Sequence, residues 1–292
     1  MSKPLIVVTG KNGQLGWEIS QISEKLDQQF DFVFVDVDEL DLSKPESIPD
    51  FFKQYQPQYF IHCAAFTAVD KAETEQELAY KINAESTGVI AKECAKINCP
   101  LITISTDYVF DGNGTKPYTT DQQTNPINHY GYTKWLGEKL AMENWNKTIV
   151  IRTAWVYSTH AANFVKTMRR LMNERAEIKV VNDQFGSPTY AADLAAAILQ
   201  VIQQWHSGNI HYGIYHFTNS GIISWYDFAV AIKSLSGLAC NVLPVPSTEY
   251  PTPAKRPFYS AMDTHKIVDD FHIQLSDWQT SLATCIKGLS AA

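Results

Sequence analysis

Leu5-Ile6-Val7-Val8-Thr9-Gly10-Lys11-Asn12-Gly13-Gln14-Leu15-Gly16 takes the chain from a β-branched apolar run into three glycines at every third position. The apolar run, ended by Thr-Gly, reads as a buried strand, and Trp17-Glu18-Ile19 beyond the glycines reads as a helix. Gly10 permits the tight turn. Gly13 lets backbone N–H groups approach a pyrophosphate, and Gly16 lets the helix pack closely on the strand. A glycine-rich turn without a ligand would have the same spacing, so support must come from farther along. Asp36 supplies it: it ends a second strand over 32–35, about twenty residues past the loop, where a dinucleotide-binding fold places an acid on the adenosine ribose. Asp36 opposes a 2′-phosphate and favours NADH, whereas Lys11 inside the loop offsets it. Asp38 and Asp41 compete for the acid's role, and both NADH and NADPH stay open.

The same rhythm continues outward. A third strand over 59–63 leads into Ala64-Ala65-Phe66-Thr67, whose small residues let the backbone run close under a flat ligand. A helix over 75–96 follows, then a strand over 101–104 that ends in Ser105-Thr106-Asp107-Tyr108-Val109-Phe110-Asp111-Gly112. Polar residues at a strand's carboxyl end stand where α/β sheets bind ligands. A helix from about 128 to 142 and a strand over 149–151 complete the alternation. The fold class is therefore α/β, with residues 1–152 forming a Rossmann-type, doubly wound parallel sheet. Past Arg152 the rhythm changes, with helices at 163–175, 193–205 and 225–235. Residues 153–292 read as mainly a smaller mixed α/β substrate domain, with some segments returning to the first. Five prolines over 244–257 read as an extended surface loop.

Composition narrows the function classes. The 292 residues are 45% hydrophobic, enough for a large core. The formal net charge of −7 disfavours a broad footprint for nucleic acid or an anionic membrane. Five cysteines with no Cys-x-x-Cys pair indicate neither a disulfide framework nor a zinc knuckle. With no signal-peptide pattern and no 18-residue apolar run, a reduced, cytoplasmic protein is the expectation.

Tyr130-Gly131-Tyr132-Thr133-Lys134 places a tyrosine and a lysine on one helix face. Chance alone supplies about one such pair in a chain of this composition. Its weight comes from the context. Reduction of a ketone needs a positioned nicotinamide, an acid for the developing alkoxide and a group that polarises the carbonyl. Tyr130 is the candidate acid, and an ammonium at Lys134 would lower its pKa from the free value of about 10 and hold ribose hydroxyls. Thr106 can donate to the carbonyl oxygen.

Taken in this order and spacing, Gly10-x-x-Gly13-x-x-Gly16, Thr106 and Tyr130-x-x-x-Lys134 resemble the extended short-chain dehydrogenase/reductases. Thr67-Ala68-Val69-Asp70-Lys71-Ala72-Glu73, Ser105-Thr106-Asp107-Tyr108-Val109-Phe110, Asp183-Gln184-Phe185-Gly186-Ser187-Pro188-Thr189 and Tyr250-Pro251-Thr252-Pro253-Ala254-Lys255-Arg256-Pro257 are similar to the dTDP-4-dehydrorhamnose reductase family within them, over nearly the whole chain. That resemblance implies NAD(P)H-dependent reduction of the 4-keto group of dTDP-4-dehydro-L-rhamnose, with Thr106, Tyr130 and Lys134 catalytic. It further implies that Gly13, Gln14, Leu15, Asp41, Leu42, Ala65, Phe66 and Thr67 line the cofactor, that Thr106, Asp107, Tyr108 and Trp155 lie near the sugar, and that the chain forms a homodimer. Lys255-Arg256 departs from the two arginines frequent in relatives, which puts a bidentate diphosphate contact at 255 in doubt. Sugar 4,6-dehydratases of the superfamily carry Asp-Glu after the threonine; Asp107-Tyr108 lacks the second acid, which favours reduction over elimination.

Trp155 and Trp225 could both be core residues, with Trp155 the better candidate for the sugar. Arg256 is a candidate diphosphate ligand or a solvated charge. His206, His211 and His216 lack metal-ligand spacing, and no metal is expected. Glu73, Glu75 and Glu77 read as a solvated helix start. The alternatives for the whole chain are a non-catalytic nucleotide-binding regulatory subunit, like the regulatory partner of methionine adenosyltransferase that shares the resemblance, and another nucleotide-sugar 4-ketoreductase or epimerase.

Overall fold

The computed structural model describes residues 3–291. In chain order its elements are β1 (Leu5–Thr9), α1 (Gln14–Ser23), β2 (Asp31–Val35), α2 (Ile48–Tyr55), β3 (Tyr59–His62), α3 (Val69–Ala72), α4 (Gln76–Tyr80), α5 (Ser86–Lys96), β4 (Leu101–Thr106), α6 (His129–Asn144) and β5 (Thr148–Thr153). They are followed by β6 (Val156–Tyr157), α7 (Phe164–Glu174), β7 (Glu177–Val181), β8 (Phe185–Gly186), β9 (Thr189–Tyr190), α8 (Ala191–Ser207), β10 (Gly213–His216), β11 (Ile223–Ser224), α9 (Trp225–Ser236), β12 (Asn241–Val245), α10 (His265–Phe271) and α11 (Trp278–Ala291).

Six strands form one parallel sheet in the order β10-β5-β4-β3-β1-β2. Their apolar runs are buried because helices cover both faces: Ile6, Val8, Ile61 and Ile149 point to one core with α1 and α8, and Val7, Phe60 and Leu101 point to another with α2 and α5. The order reverses between β1 and β3, and a crevice opens there at the carboxyl ends of the strands. The chain past residue 152 returns to this sheet, since β10 pairs with β5 and α8 packs on α1. The rest builds a smaller lobe whose core joins Tyr157, Phe228, Trp278 and Leu282 to Met172, Ile178 and Val242.

Two expectations are corrected. The helix over 75–96 is interrupted by a π-turn at Lys81–Glu85. Asn83 in that turn bonds to both backbone groups of Phe66, at 2.8 and 3.1 Å, and to Thr133 of α6 at 3.1 Å; the π-turn aims it there. The proline-rich stretch is not wholly loop either, because Pro244 lies in β12, paired in parallel with β7. In a two-stranded sheet each strand is an edge, where a missing N–H is tolerated.

Candidate active site

The glycine loop comes first in the cleft. Gly10 has φ +76°, and a Cβ on Gly16 would lie 2.2 Å from the Gly10 carbonyl oxygen, so α1 starts in direct contact with the turn that precedes it. This aims the free N–H groups of the first turn of α1 into the cleft, a ready anion site. Asp36 accepts the Asn12 N–H at 2.9 Å and the Val37 N–H at 2.9 Å, bracing the loop. The Lys11 ammonium pairs with Glu39 at 2.5 Å and also feels the charge of Asp36.

The crevice holds about 700 Å³ and is lined by Gly10, Gly13, Gln14, Leu15, Gly16, Asp36, Ala65, Thr67, Thr106, Asp107, Tyr108, Tyr130, Lys134 and Trp155, all singled out from sequence. A smaller hollow of about 170 Å³ beside it is lined by Asp36, Asp41, Leu42 and Ala65. Phe66 lines neither; its backbone is pinned to Asn83 instead. Arg256 lines a third hollow and packs its guanidinium 6.0 Å from the Tyr108 ring centroid, with Nη2 on Asp70 at 2.9 Å and Nη1 buried without a partner among the described residues.

Helix α6 carries Tyr130 and Lys134. Asn128 caps it by accepting the Gly131 N–H at 2.8 Å, and Glu73 accepts the His129 N–H at 2.8 Å. Glu73 is thus not a solvated helix start but part of the support of this helix. The cap places Tyr130 edge-on to Tyr108, ring centroids 5.6 Å apart, and Lys134 one turn deeper. Burial pushes the Tyr130 hydroxyl up to about 12, partly offset by a hydrogen bond with Thr106. Burial also pushes the Lys134 ammonium down to about 8, against the pull of Glu138 and Cys63. Lys134 Nζ donates to the Ile104 carbonyl at 2.7 Å. Lys134 does not depress the Tyr130 pKa as expected; desolvation wins, and the lowering contact comes from Thr106.

Behind the site is an ion pair that the sequence reading did not single out. Arg152 of β5 and Glu138 of α6 meet at 2.7 Å with 3% and 4% of their side chains exposed. Glu138 also accepts from Ser105, and Arg152 reaches His216 at 3.5 Å. The signal was present: an arginine inside a fully buried parallel strand requires a partner. Also unforeseen was the 158–162 loop, where Ala161 and Ala162 line the crevice and His160 stacks on Trp17 at 4.9 Å.

Trp155, at φ +49°, lines the crevice, while Trp225 stacks on its ring at 3.5 Å and 10° and so supports it. The three histidines diverge: His206 packs on Phe30, His211 approaches Asp270, and His216 lies by Arg152. All five cysteines are free thiols, and no helix of the described residues is long and apolar enough to cross a membrane.

A family model described as the RmlD substrate binding domain matches residues 4–291. The chain belongs to that family. Among its relatives, dTDP-4-dehydrorhamnose reductase of Escherichia coli strain K12 is 40% identical over 291 residues, covering 97% of each chain. A crystal structure of a dTDP-4-dehydrorhamnose reductase from Clostridium acetobutylicum superposes with a TM-score of 0.92 at 40% identity, covering 98% of this chain and 99% of the other. The enzyme of that name from Bacillus anthracis, solved in complex with NADP, gives 0.92 at 38% identity, covering 98% and 100%. In this RmlD-type chain the features that fit a dinucleotide are local and physical: the Gly10–Gly16 cradle, Ala64 and Ala65 on the floor, and the buried Gln14 Oε1, which has no partner among the described residues.

Proposed function

We propose that this chain reduces the 4-keto group of dTDP-4-dehydro-L-rhamnose to dTDP-L-rhamnose with NADPH or NADH. The observation that carries the reading is the convergence of Thr106, Tyr130 and Lys134 with the glycine loop on one crevice. Gly10, Gly13, Gln14, Leu15, Gly16, Ala65 and Thr67 would hold a reduced nicotinamide, whose chemistry when bound would be hydride donation to the carbonyl carbon.

The chain's residues handle the proton and the charge. Thr106 donates its hydroxyl hydrogen bond to the carbonyl oxygen, and Tyr130 transfers its proton to the same oxygen as charge develops. A hydroxyl held at about 12 by burial keeps its proton until an alkoxide of higher basicity forms beside it. Lys134 places a positive charge one turn below and is the donor assigned to the ribose. Trp155, backed by Trp225, forms a flat wall for the sugar, and Arg256 offers its unpartnered Nη1 to the diphosphate. Residues 1–152 with the returning β10 and α8 hold the cofactor, and the smaller lobe holds the nucleotide sugar.

Tyr108, in edge contact with Tyr130 where a dehydratase carries its second acid, supports reduction over elimination. Against a non-catalytic role is a complete proton-donating set around a crevice of dinucleotide size. The test mixes purified chain with the 4-keto sugar nucleotide and NADPH or NADH and follows loss of reduced-nicotinamide absorbance. Oxidation of neither cofactor sinks the proposal, and tight retention of oxidised cofactor through turnover points to an epimerase. Pairing as a homodimer, implied by the same resemblance, is checked by light scattering.

A further inference from the structure

Thr106 cannot donate in two directions at once. Its hydroxyl has one proton and two lone pairs. One lone pair takes the Tyr108 N–H at 3.2 Å, and the Asp107 Oδ1 atom stands 3.0 Å from the same Oγ1. When Asp107 is a carboxylate it accepts only, so the single Thr106 proton goes to it and none is left for a substrate. When Asp107 is a carboxylic acid it donates to the second lone pair of Thr106, and the Thr106 proton turns toward the crevice, where the Tyr130 hydroxyl is its partner until a substrate carbonyl takes its place.

We propose that Asp107 is a positioning residue that sets which way the Thr106 hydroxyl points, so that the reduction runs on the form in which Asp107 carries a proton. The inference rests on the proposed reductase reading, in which Thr106 acts on the carbonyl, and adds to it a control on that contact.

The surroundings favour the protonated form. Asp107 is 3% exposed, and its Oδ2 is buried with no hydrogen-bond partner among the described residues. The Thr106 hydroxyl, then the Ser260 hydroxyl from the stretch after Arg256, and the Asp107 and Tyr108 backbone N–H groups favour the charged carboxylate, without closing a bond to Oδ2. Tyr130 faces it from α6 and Tyr108 from its own turn, both neutral below their raised pKa values. Lys134, deeper on α6, gives its hydrogen bond to Ile104, and the Arg256–Asp70 pair lies against the Tyr108 ring. Burial leads, and it pushes the Asp107 carboxyl up to about 6.

The test is the pH dependence of kcat at saturating substrates. In the wild type, kcat should be level below the Asp107 break near 6 and then fall about tenfold per pH unit, toward the roughly 10²-fold loss typical of one missing oxyanion donor. In Asp107→Asn, whose amide N–H donates to Thr106 at every pH, that break should vanish whatever the absolute rate. Asp107→Ala should also lose it. A side chain needed only for folding would lower the rate and leave the profile in place. Absence of a fall in kcat as pH rises through about 6 in the wild type, or its persistence in either variant, overturns the inference. The carboxylic-acid stretch of Asp107, read as the infrared difference between wild type and Asp107→Asn, must titrate at the pH of the break. Its absence overturns the inference even if this sugar nucleotide is not turned over, whereas lack of turnover with the band present counts against the proposed substrate alone.

Discussion

Adding one methyl group at Gly131, between the proposed acid Tyr130 and Tyr132, should disable the site while leaving the fold standing. A Cβ there would lie 2.1 Å from the Tyr108 carbonyl oxygen and 2.9 Å from the carbonyl carbon, whereas ordinary contact begins at 3.4 Å. The obstacle is backbone, so no side-chain rotation relieves it. Helix α6 and the 106–108 turn must part by the shortfall between 2.1 and 3.4 Å. Thr106 sits on one side of that seam and Tyr130 on the other, so the two groups meant for one carbonyl oxygen separate by about 1 Å, a misplacement worth on the order of 10²-fold in rate. Forcing extra volume into a packed contact costs about 1–3 kcal/mol. That is within the roughly 5–15 kcal/mol of stability of an ordinary domain, so the variant should fold. Steady-state kcat with NADPH, beside urea unfolding and cofactor titration, reads all three quantities. The expected result for Gly131→Ala is a large loss of kcat, a modestly lower urea midpoint and little change in cofactor affinity. A kcat within twofold of the wild type would refute the claim that this contact sets the geometry.

Three further outcomes are expected. Tyr130→Phe removes the proton donor and should lower kcat by about 10²–10⁴-fold with cofactor affinity nearly intact, since the ring still fills its place against Tyr108; an unchanged kcat removes Tyr130 from the mechanism. Glu138→Ala leaves the Arg152 guanidinium buried without its carboxylate and should cost about 3–5 kcal/mol by urea unfolding, whereas replacing both partners by apolar residues of similar size should recover most of it. A cost under about 1 kcal/mol would show that the pair carries little. His62, fully enclosed between Thr9 at 2.9 Å and Thr87 at 3.3 Å, is pushed down by burial to about 3. Its folded pKa lies below the unfolded one, so its contribution is present above about 6.5 and lost as pH falls toward 3, about 1 kcal/mol between pH 6.5 and 5.5. A His62→Gln variant should lack that part of the wild-type decline, and an identical decline in both proteins would refute it.

Much of the fold was legible because a few residue types have narrow uses. Gly10 and Gly16 meet at a contact that admits no side chain, and Thr106 and Tyr130 sit at a strand end and a helix start, positions that periodicity and capping reveal. The start of α6 followed from Asn128, but the face it buries is Gly131, Thr133, Lys134, Gly137, Glu138 and Ala141, not an apolar stripe. Less legible was anything decided by partners far along the chain. Glu73 reads as one solvated carboxylate among three until α6 is seen to begin beside it. Asn83 sits in a π-turn and bonds to Phe66 and Thr133, partners 17 and 50 residues away. Pro244 reads as loop until β7 is found alongside.

By itself the sequence determined the parallel α/β architecture and the place of the glycine loop, and it named Thr106, Tyr130 and Lys134 as the candidate set that the fold brings to one crevice, because spacing and side-chain chemistry are local properties of the chain. Tertiary structure alone decided their electrostatics. Whether Tyr130 is eased toward ionisation by Lys134 or held at about 12 depends on desolvation, which depends on what the whole fold packs around the hydroxyl. For the same reason Asp107, one more polar residue after a strand in the sequence, is in the folded chain a buried acid 3.0 Å from the Thr106 hydroxyl.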